Sequence, residues 1–205
     1  MSHLGEDAPL TVEEFLRFEE HAEERHEFVG GRIYAMTGAT ARHNLIAGNI
    51  YVRLRGMAGA GRCRVYIEGV QLRLPGDVYY PDVMVVCAPD GDDEKRANAP
   101  CLVVEVRSPS TGAIDLYGHK LHAYQALPSV LTYLVVEQER RAVVHHWRTS
   151  PRAAWQREEL IDAGRLALPC PAPGGVLTLD EIYEGIPLPS GRPPLRRIRE
   201  DASAL

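Results

Sequence analysis

The stretches "YYPDVMVVCAPD" (residues 79–90) and "CLVVEVRSPST" (residues 101–111) decide the fold of this chain. Each contains an apolar run typical of a buried strand, and each run carries one carboxylate, Asp82 in the first and Glu105 in the second. A charged side chain in a buried strand costs on the order of several kcal/mol unless a partner compensates it. Two such residues on consecutive strands therefore indicate a site that uses both.

The strand that contains Glu105 is apolar on both faces, which predicts a central position in a sheet covered on both sides. Because side chains alternate along a strand, Arg107 lies on the same face as Glu105, at the end of the strand. Sites in α/β sheets usually form at the ends of central strands. If residues 79–87 form the neighbouring strand, Asp82 approaches Glu105 at this place.

The surrounding sequence alternates between helical and strand patterns, which predicts an α/β fold with a mixed central sheet flanked by helices. Thr11 and Glu14 have the spacing of a capping box, so a helix begins near Val12. An amphipathic helix at 113–127 leads into the strand 130–137, a crossover that makes parallel strand pairs. The other predicted elements are a hairpin turning at Gly30-Gly31, a helix containing Ile46, Ile50, Leu54 and Met57, strands near 62–74, 79–87 and 101–108, a meander over 140–161 and a capped helix within 178–186.

The length and composition limit the functions that this chain can have. A chain of 205 residues predicts one domain, which we place at residues 1–190, followed by a mobile tail at 191–205. The net charge of −5 argues against a tight, non-specific nucleic-acid binder. No signal peptide pattern and no apolar run of roughly 20 residues is seen, so we expect a cytoplasmic protein without a membrane partner. The four cysteines show no CxxC spacing, and we expect reduced core thiols.

A divalent cation explains the two carboxylates. Two close carboxylates repel each other, and one of them keeps a proton unless a cation lies between them. Mg²⁺ takes oxygen ligands and commonly binds through one or two carboxylates plus a substrate phosphate. Lys120, on the helix after the Glu105 strand, could stabilise a pentavalent phosphate or, with a lowered pKa, help deprotonate water.

The order of these residues resembles that of a known nuclease superfamily. Pro81-Asp82 followed by Glu105-Val106-Arg107, in a helix-strand-strand-strand-helix-strand core, resembles the PD-(D/E)xK nucleases and their restriction-endonuclease-like fold. More closely, "EVRSPST" (105–111), "DLYGHKLHAY" (115–124) and "LPSVLTYLVV" (127–136) are similar to the Uma-type family of "putative restriction endonucleases", formerly a domain of unknown function. In this arrangement the N-terminal helix, the hairpin and the last strands are additions to the core.

The resemblance implies a DNA endonuclease that uses Mg²⁺, or Mn²⁺, to hydrolyse phosphodiester bonds. It implies that Asp82 and Glu105 bind the metal, with the carbonyl of Val106 as a further ligand, and that Arg107 and Lys120 belong to the catalytic set. Arg107 stands where the superfamily has a lysine, and arginine stays protonated, so it cannot serve as a base. Lys120 matches a helix lysine found in many relatives. Cleavage of both strands would favour a homodimer.

Other interpretations stay open. Glu27, His43 and Glu68 could also reach the cleft, although each is more often an ordinary surface or hairpin residue. Glu105 could be a structural partner of Arg107 or Lys120. The arginine in the lysine position also suits a weakened nuclease fold that acts as a DNA-binding or protein-interaction module. A third alternative is a hydrolase with a carboxylate pair and no metal, such as a glycosidase.

Overall fold

The computed structural model describes residues 10–36, 39–87, 96–107, 111–172 and 174–188. The helices are α1 (Val12–Glu19), α2 (Ala41–Ala58), α3 (Thr111–Ala126) and α4 (Leu179–Ile182). The strands are β1 (His26–Val29), β2 (Arg32–Ala35), β3 (Arg64–Ile67), β4 (Gln71–Leu74), β5 (Asp77–Tyr79), β6 (Val83–Val86), β7 (Arg96–Ala97), β8 (Leu102–Arg107), β9 (Thr132–Glu137), β10 (Ala142–Trp147), β11 (Gln156–Ile161), β12 (Arg165–Leu168) and β13 (Gly175–Thr178).

The central sheet has six strands in the order β11-β10-β9-β8-β6-β3. Strands β8 and β9 run parallel, joined through α3, and the other neighbouring pairs are antiparallel. The chain order α2, β3, β6, β8, α3, β9 is the predicted core, and the α/β class with a mixed sheet is confirmed. The meander predicted after β9 is also confirmed, because β10 and β11 extend the sheet at its edge.

A second sheet, of five strands in the order β2-β1-β5-β4-β7, was not predicted. The expectation of single strands at 62–74 and 79–87 is wrong, because each stretch is divided between the two sheets. Glu68 (φ 44°) and Gly69 (φ 74°) both adopt positive φ angles. A backbone in this region cannot continue a strand, so the chain leaves the central sheet after β3 and returns to it at β6.

The two faces of the central sheet are covered by different elements. On one face Ile46, Ile50 and Leu54 of α2 pack with the even-numbered residues of β8. On the other face Tyr124 of α3 packs with Val103 and Tyr133. The alternation predicted for β8 is therefore confirmed, and Glu105 lies on the α3 face. In the part of the chain that the structure describes, no helix combines the length and the apolar character required to cross a bilayer.

The predicted N-terminal elements are confirmed, but the C-terminal part and the cysteines differ from expectation. Thr11 and Glu14 form the capping box of α1, and Thr178 and Glu181 form that of α4. The β12-β13 hairpin that precedes α4 was not predicted. The expectation of reduced thiols is wrong in this structure, which pairs Cys63 with Cys87 and Cys101 with Cys170 in disulfides. The tail at 191–205 lies outside the described residues.

Candidate functional site

The candidate site lies where β6 begins and β8 ends. These strands are antiparallel, with Val83 opposite Val104. Extending this register by one residue places Asp82 opposite Glu105. The backbone N–H of Val106 donates a hydrogen bond of 2.6 Å to Oδ2 of Asp82, which holds the aspartate against the end of β8. The predicted approach of the two acidic positions therefore follows from strand pairing.

Glu105 is held by two buried donors from α3. Glu105 is only 3% exposed. Lys120 Nζ donates to Oε2 at 2.9 Å, and the Tyr124 hydroxyl donates to Oε1 at 2.8 Å. Lys120 and Tyr124 lie four residues apart and so share one face of α3. Lys120 is thus a partner of Glu105 and not a solvated helix lysine.

Glu27 adds a third carboxylate from the N-terminal hairpin. It is 3% exposed and lies 2.9 Å from Lys120 Nζ, the same distance as Glu105. The backbone N–H of Tyr80 donates a hydrogen bond of 3.1 Å to Glu27 Oε1, the same oxygen that contacts Lys120. One ammonium group therefore bridges two buried glutamates from different sheets. The structure brings Glu27 into the site, although sequence spacing alone favoured an ordinary hairpin residue.

His43 reaches the site from the N-terminal turn of α2. Thr40 caps this helix by accepting a hydrogen bond from the His43 backbone N–H at 3.1 Å. His43 Nε2 lies 3.3 Å from Asp82 Oδ2. Burial lowers the pKa of His43, but the hydrogen bond and charge of Asp82 outweigh it and raise the pKa above its ordinary value. His43 therefore donates from Nε2 to the aspartate.

A cavity of about 270 Å³ opens beside this pair, lined by residues that include Arg25, Thr40, His43, Glu68, Asp82 and Gln138. Glu68 lines it next to His43, and the Glu68 backbone N–H donates to the Asp82 carbonyl at 3.0 Å. Gly69 allows Arg25 to pack close to this wall, because a Cβ at Gly69 would lie 2.8 Å from the guanidinium. The cavity is thus lined both by acidic groups and by an exposed arginine.

Arg107 is turned away from Glu105. Its guanidinium donates to Glu137 Oε1 at 2.9 Å and lies 5.6 Å from the ring centroid of Tyr117. Arg107 and Glu137 are direct neighbours in the β8-β9 register, which explains the pair. The Arg107 side chain is 39% exposed. The alternative in which Glu105 is a structural partner of Arg107 is therefore wrong, because the partner of Glu105 is Lys120.

The buried groups of the site shift one another's pKa values. Burial raises the pKa of Glu105 to about 8, Lys120 opposes this rise, and the charges of Asp82 and Glu27 add to it. Burial lowers the pKa of Lys120, but Glu105 and Glu27 outweigh it and raise the pKa well above its ordinary value. The lowered pKa that a lysine base requires is therefore not found at Lys120, which stays a cation.

The donor set fits a hard divalent cation. Asp82, Glu105 and the Val106 carbonyl are oxygen ligands, which Mg²⁺ prefers. Each Glu105 oxygen accepts one hydrogen bond from the protein, and an ionised carboxylate offers about four acceptor positions in total. The contacts of Asp82 with Val106 and His43 both use Oδ2. If all three carboxylates were ionised they would outnumber one lysine and one histidine, and a bound cation would offset that charge and favour the ionised form of Glu105.

Sequence reasoning missed several residues that build this site. Gln138 is 1% exposed, donates to the Arg107 carbonyl at 3.0 Å and accepts from the Thr40 hydroxyl at 2.6 Å. It connects the end of β8 to the N-terminus of α2. The available signal was a polar residue directly after the apolar run "YLVVE". Thr40 carried a second signal, since threonine is a preferred helix N-cap.

Comparisons with known proteins agree with this fold. A solved structure titled "Crystal structure of a putative nuclease belonging to DUF820", from Anabaena variabilis, aligns with a TM-score of 0.65 over 85% of this chain and 98% of that chain, at 16% identity. Two Synechocystis proteins are also similar. Uncharacterized protein slr1290 is 36% identical over 130 residues, which are 62% of this chain and 68% of that protein. Uncharacterized protein sll1609 is 31% identical over 157 residues, 74% of this chain and 88% of that protein.

The match to a family model is broader and includes every site residue described above. Residues 12–180 match the model of Uma2, whose description is "Putative restriction endonuclease". This range begins with α1 and ends within α4, so it contains the complete central sheet. The chain belongs to the Uma2 family of "putative restriction endonucleases".

Proposed function

We propose that this protein is a metal-dependent endodeoxyribonuclease of the PD-(D/E)xK type that hydrolyses phosphodiester bonds in DNA. The proposed cofactor is Mg²⁺, with Mn²⁺ as a substitute, and the proposed ligands are Asp82, Glu105 and the carbonyl of Val106. One observation carries the proposal. Glu105 is 3% exposed at the end of a central strand, opposite Asp82, and is held there by Lys120 and Tyr124. Burial of a carboxylate costs free energy, and such a cost is expected where a functional site needs that carboxylate.

The metal, when bound, would lower the pKa of a water ligand and neutralise charge on the scissile phosphate. The chain's own residues supply positioning and charge. Lys120 holds Glu27 and Glu105 in place as a permanent cation. His43 orients Asp82 through Nε2. Arg25, which lines the cavity, and the half-exposed Arg107 are suited to phosphate contacts, which also answers how an acidic chain would bind DNA.

A second candidate function is a weakened nuclease fold that acts as a DNA-binding or protein-interaction module. The observation that favours it is the pairing of Arg107 with Glu137, which draws the residue at the motif lysine position away from Glu105. Under this alternative the site would bind DNA or a protein without breaking a phosphodiester bond.

A cleavage assay tests the proposal. Supercoiled plasmid is incubated with the protein and Mg²⁺, Mn²⁺ or EDTA, and nicked and linear products are measured. We expect cleavage with either metal and none with EDTA. Asp82→Asn and Glu105→Gln should each reduce the rate at least about 10–100-fold, the range seen even for residues that only support metal ligands. Glu184→Gln, which changes an exposed carboxylate paired with Arg53, is the matched control and should cleave like the wild type.

DNA shifted in a gel by the protein, with no product under any metal condition, would instead support the binding module.

We further propose that residues 1–190 work as a single domain in the cytoplasm and that the active form is a homodimer. Cleavage of both strands favours two sites, which a symmetric pair supplies. Sedimentation of the protein with a DNA duplex tests the dimer, and a monomer on cleaved duplex would contradict it.

A further inference from the structure

All four cysteines of the chain converge at one end of the central sheet. Cys63 precedes β3, Cys87 follows β6 and Cys101 precedes β8, and these three strands are neighbours in the sheet. Cys170 arrives from the loop that follows β12. Because Asp82 directly precedes β6 and Cys87 directly follows it, the cysteine cluster lies at the opposite end of the sheet from the carboxylates. The chain rises by about 17 Å over the extended segment from Asp82 to Cys87.

The sulfur atoms form one group and not two isolated pairs. Besides the two disulfides, Cys87 Sγ and Cys101 Sγ lie 3.5 Å apart and so connect the pairs. The sulfurs of Cys87, Cys101 and Cys170 all lie within 4.8 Å of one another. A tetrahedral zinc centre with Zn–S bonds of about 2.3 Å has sulfurs about 3.8 Å apart. The Cys87–Cys101 distance is therefore close to that of a thiolate centre, and Cys63, bonded to Cys87, is the fourth sulfur beside this group of three.

The surroundings of the cluster suit thiolate ligands. Cys170 is 6% exposed, and the other three cysteines are partly buried against the apolar core under α2. This shell limits access of water to the sulfurs. Cys63 also adjoins a cavity of about 380 Å³ lined by Arg55 and Arg64. Cationic side chains near a cysteine favour its thiolate and would offset the charge of a four-thiolate centre.

We propose that, in the reduced protein, Cys63, Cys87, Cys101 and Cys170 together bind one soft divalent cation, Zn²⁺, as a structural site separate from the carboxylate site. Conversion of the two disulfides to four thiols takes up four electrons and four protons, which two equivalents of a dithiol reductant supply. Binding then releases the four thiol protons and leaves a centre of net charge −2. The ion would connect the ends of β3, β6 and β8 to the loop after β12.

The test uses the full chain, reduced with a dithiol, freed of metal and then titrated with Co²⁺ or Zn²⁺ alone. Co²⁺ should bind one equivalent per chain, with the thiolate-to-cobalt absorption and visible bands of a tetrahedral sulfur site, and Zn²⁺ should displace it. A thiol reagent should count four reactive thiols before Zn²⁺ is added and close to none after one equivalent. Cys101→Ser should weaken Zn²⁺ binding at least about tenfold, in line with the loss of one ligand.

Asp82→Asn and Glu105→Gln are the controls, because they change the other candidate metal site and should leave the cobalt spectrum and the thiol counts unchanged. This separates the inference from the proposed nuclease function, which can fail without affecting it. Four thiols that stay reactive in the presence of Zn²⁺ would overturn the proposal. A chain that reaches no free thiols in excess reductant would overturn it as well, since the cysteines would then be permanent disulfides.

Discussion

Lys120 is the residue on which the candidate site depends most. Its ammonium lies 2.9 Å from both Glu27 and Glu105, and all three residues are less than a tenth exposed. Removing one member of a buried ion pair leaves an uncompensated charge, a loss of about 3–5 kcal/mol. Arg107 differs in both respects, because its side chain is 39% exposed and its partner is Glu137. A half-exposed pair of this kind contributes about 0–1 kcal/mol.

Substitutions at these two cations should therefore have unequal effects. We expect Lys120→Met to lower the free energy of unfolding by a few kcal/mol and to abolish most DNA cleavage. Arg107→Lys keeps a positive charge beside Glu137 and should lose less than about tenfold in rate, with little change in stability. Urea unfolding and plasmid cleavage, both with Mg²⁺ present, measure the two effects. Equal and mild losses of activity in both variants would show that neither cation serves the reaction.

The raised pKa of Glu105 predicts how stability depends on pH without metal. Burial raises this pKa from the ordinary 4.5 to about 8, so between these values the folded protein binds more protons than the unfolded chain. The free energy of unfolding should then fall as pH rises from 5 to 8, by at most about 1.4 kcal/mol per pH unit for this group. The raised pKa of His43 acts in the same direction, since its stabilising proton is lost as pH rises.

Urea unfolding in EDTA at pH 5, 6, 7 and 8 measures this slope. Glu105→Gln cannot titrate at this position, so its unfolding free energy should fall less steeply with pH, by up to about 1.4 kcal/mol per pH unit. His43→Gln should lose only the contribution of the histidine to this slope. Glu184→Gln serves as the control and should follow the wild type. An identical slope in the wild type and Glu105→Gln would mean that Glu105 is ionised in the folded protein throughout this range.

At the scale of single elements, the N-terminus of α2 connects the helix to the end of the sheet that carries Asp82 and Glu105. The Thr40 hydroxyl accepts from the His43 backbone N–H and donates to Gln138, which in turn donates to the carbonyl of Arg107. The side chain of Gln138, which directly follows β9, thus connects the N-terminus of α2 to the end of β8. His43 occupies the third position of the helix, so the cap determines where its imidazole meets Asp82.

We expect Thr40→Ala to lower the free energy of unfolding by about 1 kcal/mol, the usual effect of losing a helix N-cap. Its loss of nuclease activity should be larger than this change in stability explains, because the position of His43 depends on the cap. Thr11→Ala is the matched control, since Thr11 caps α1 in the same manner away from the cavity. Thermal unfolding and cleavage rates are compared, and similar activity in the two variants would contradict the role given to Thr40.

At the scale of the whole molecule, the central sheet separates two clusters of chemically different ligands. The candidate oxygen ligands lie where β6 begins and β8 ends, and the candidate sulfur ligands lie at the opposite ends of the same strands. A hard cation favours the first set and a soft cation the second. Ligand chemistry therefore allows Mg²⁺ to be used as a specific probe of the carboxylate end.

Mg²⁺ at ten times its Kd should stabilise the folded protein by about 1.4 kcal/mol if it binds only that state. For a domain near this size, the Tm should rise by about 3–6 °C. Glu105→Gln keeps the shape of the side chain, so without metal it should melt at or above the wild type, yet it should lose the Mg²⁺ response. Calorimetry with Mg²⁺ and with EDTA decides this. A strongly destabilised variant with an unchanged response would place the metal elsewhere.

The sequence by itself determined the core order, the two faces of β8, the capped helices α1 and α4, and the pairing of Asp82 with Glu105 across neighbouring strands. These features follow from periodicity, capping spacing and adjacency in the chain, all of which are local. It also predicted Lys120, although Arg107, two residues after Glu105, was an equally good partner. Only the register of β8 with β9 decided this, because it places Glu137 opposite Arg107.

Contacts between distant segments required the tertiary structure. Glu27 reaches Lys120 because the hairpin joins a second sheet, and that sheet exists because positive φ angles at Glu68 and Gly69 divide one apolar stretch in two. The convergence of four cysteines without any CxxC spacing arises in the same way, from strand order and not from sequence distance. Local patterns specify the elements, whereas the packing of whole sheets decides which buried charges and sulfurs meet.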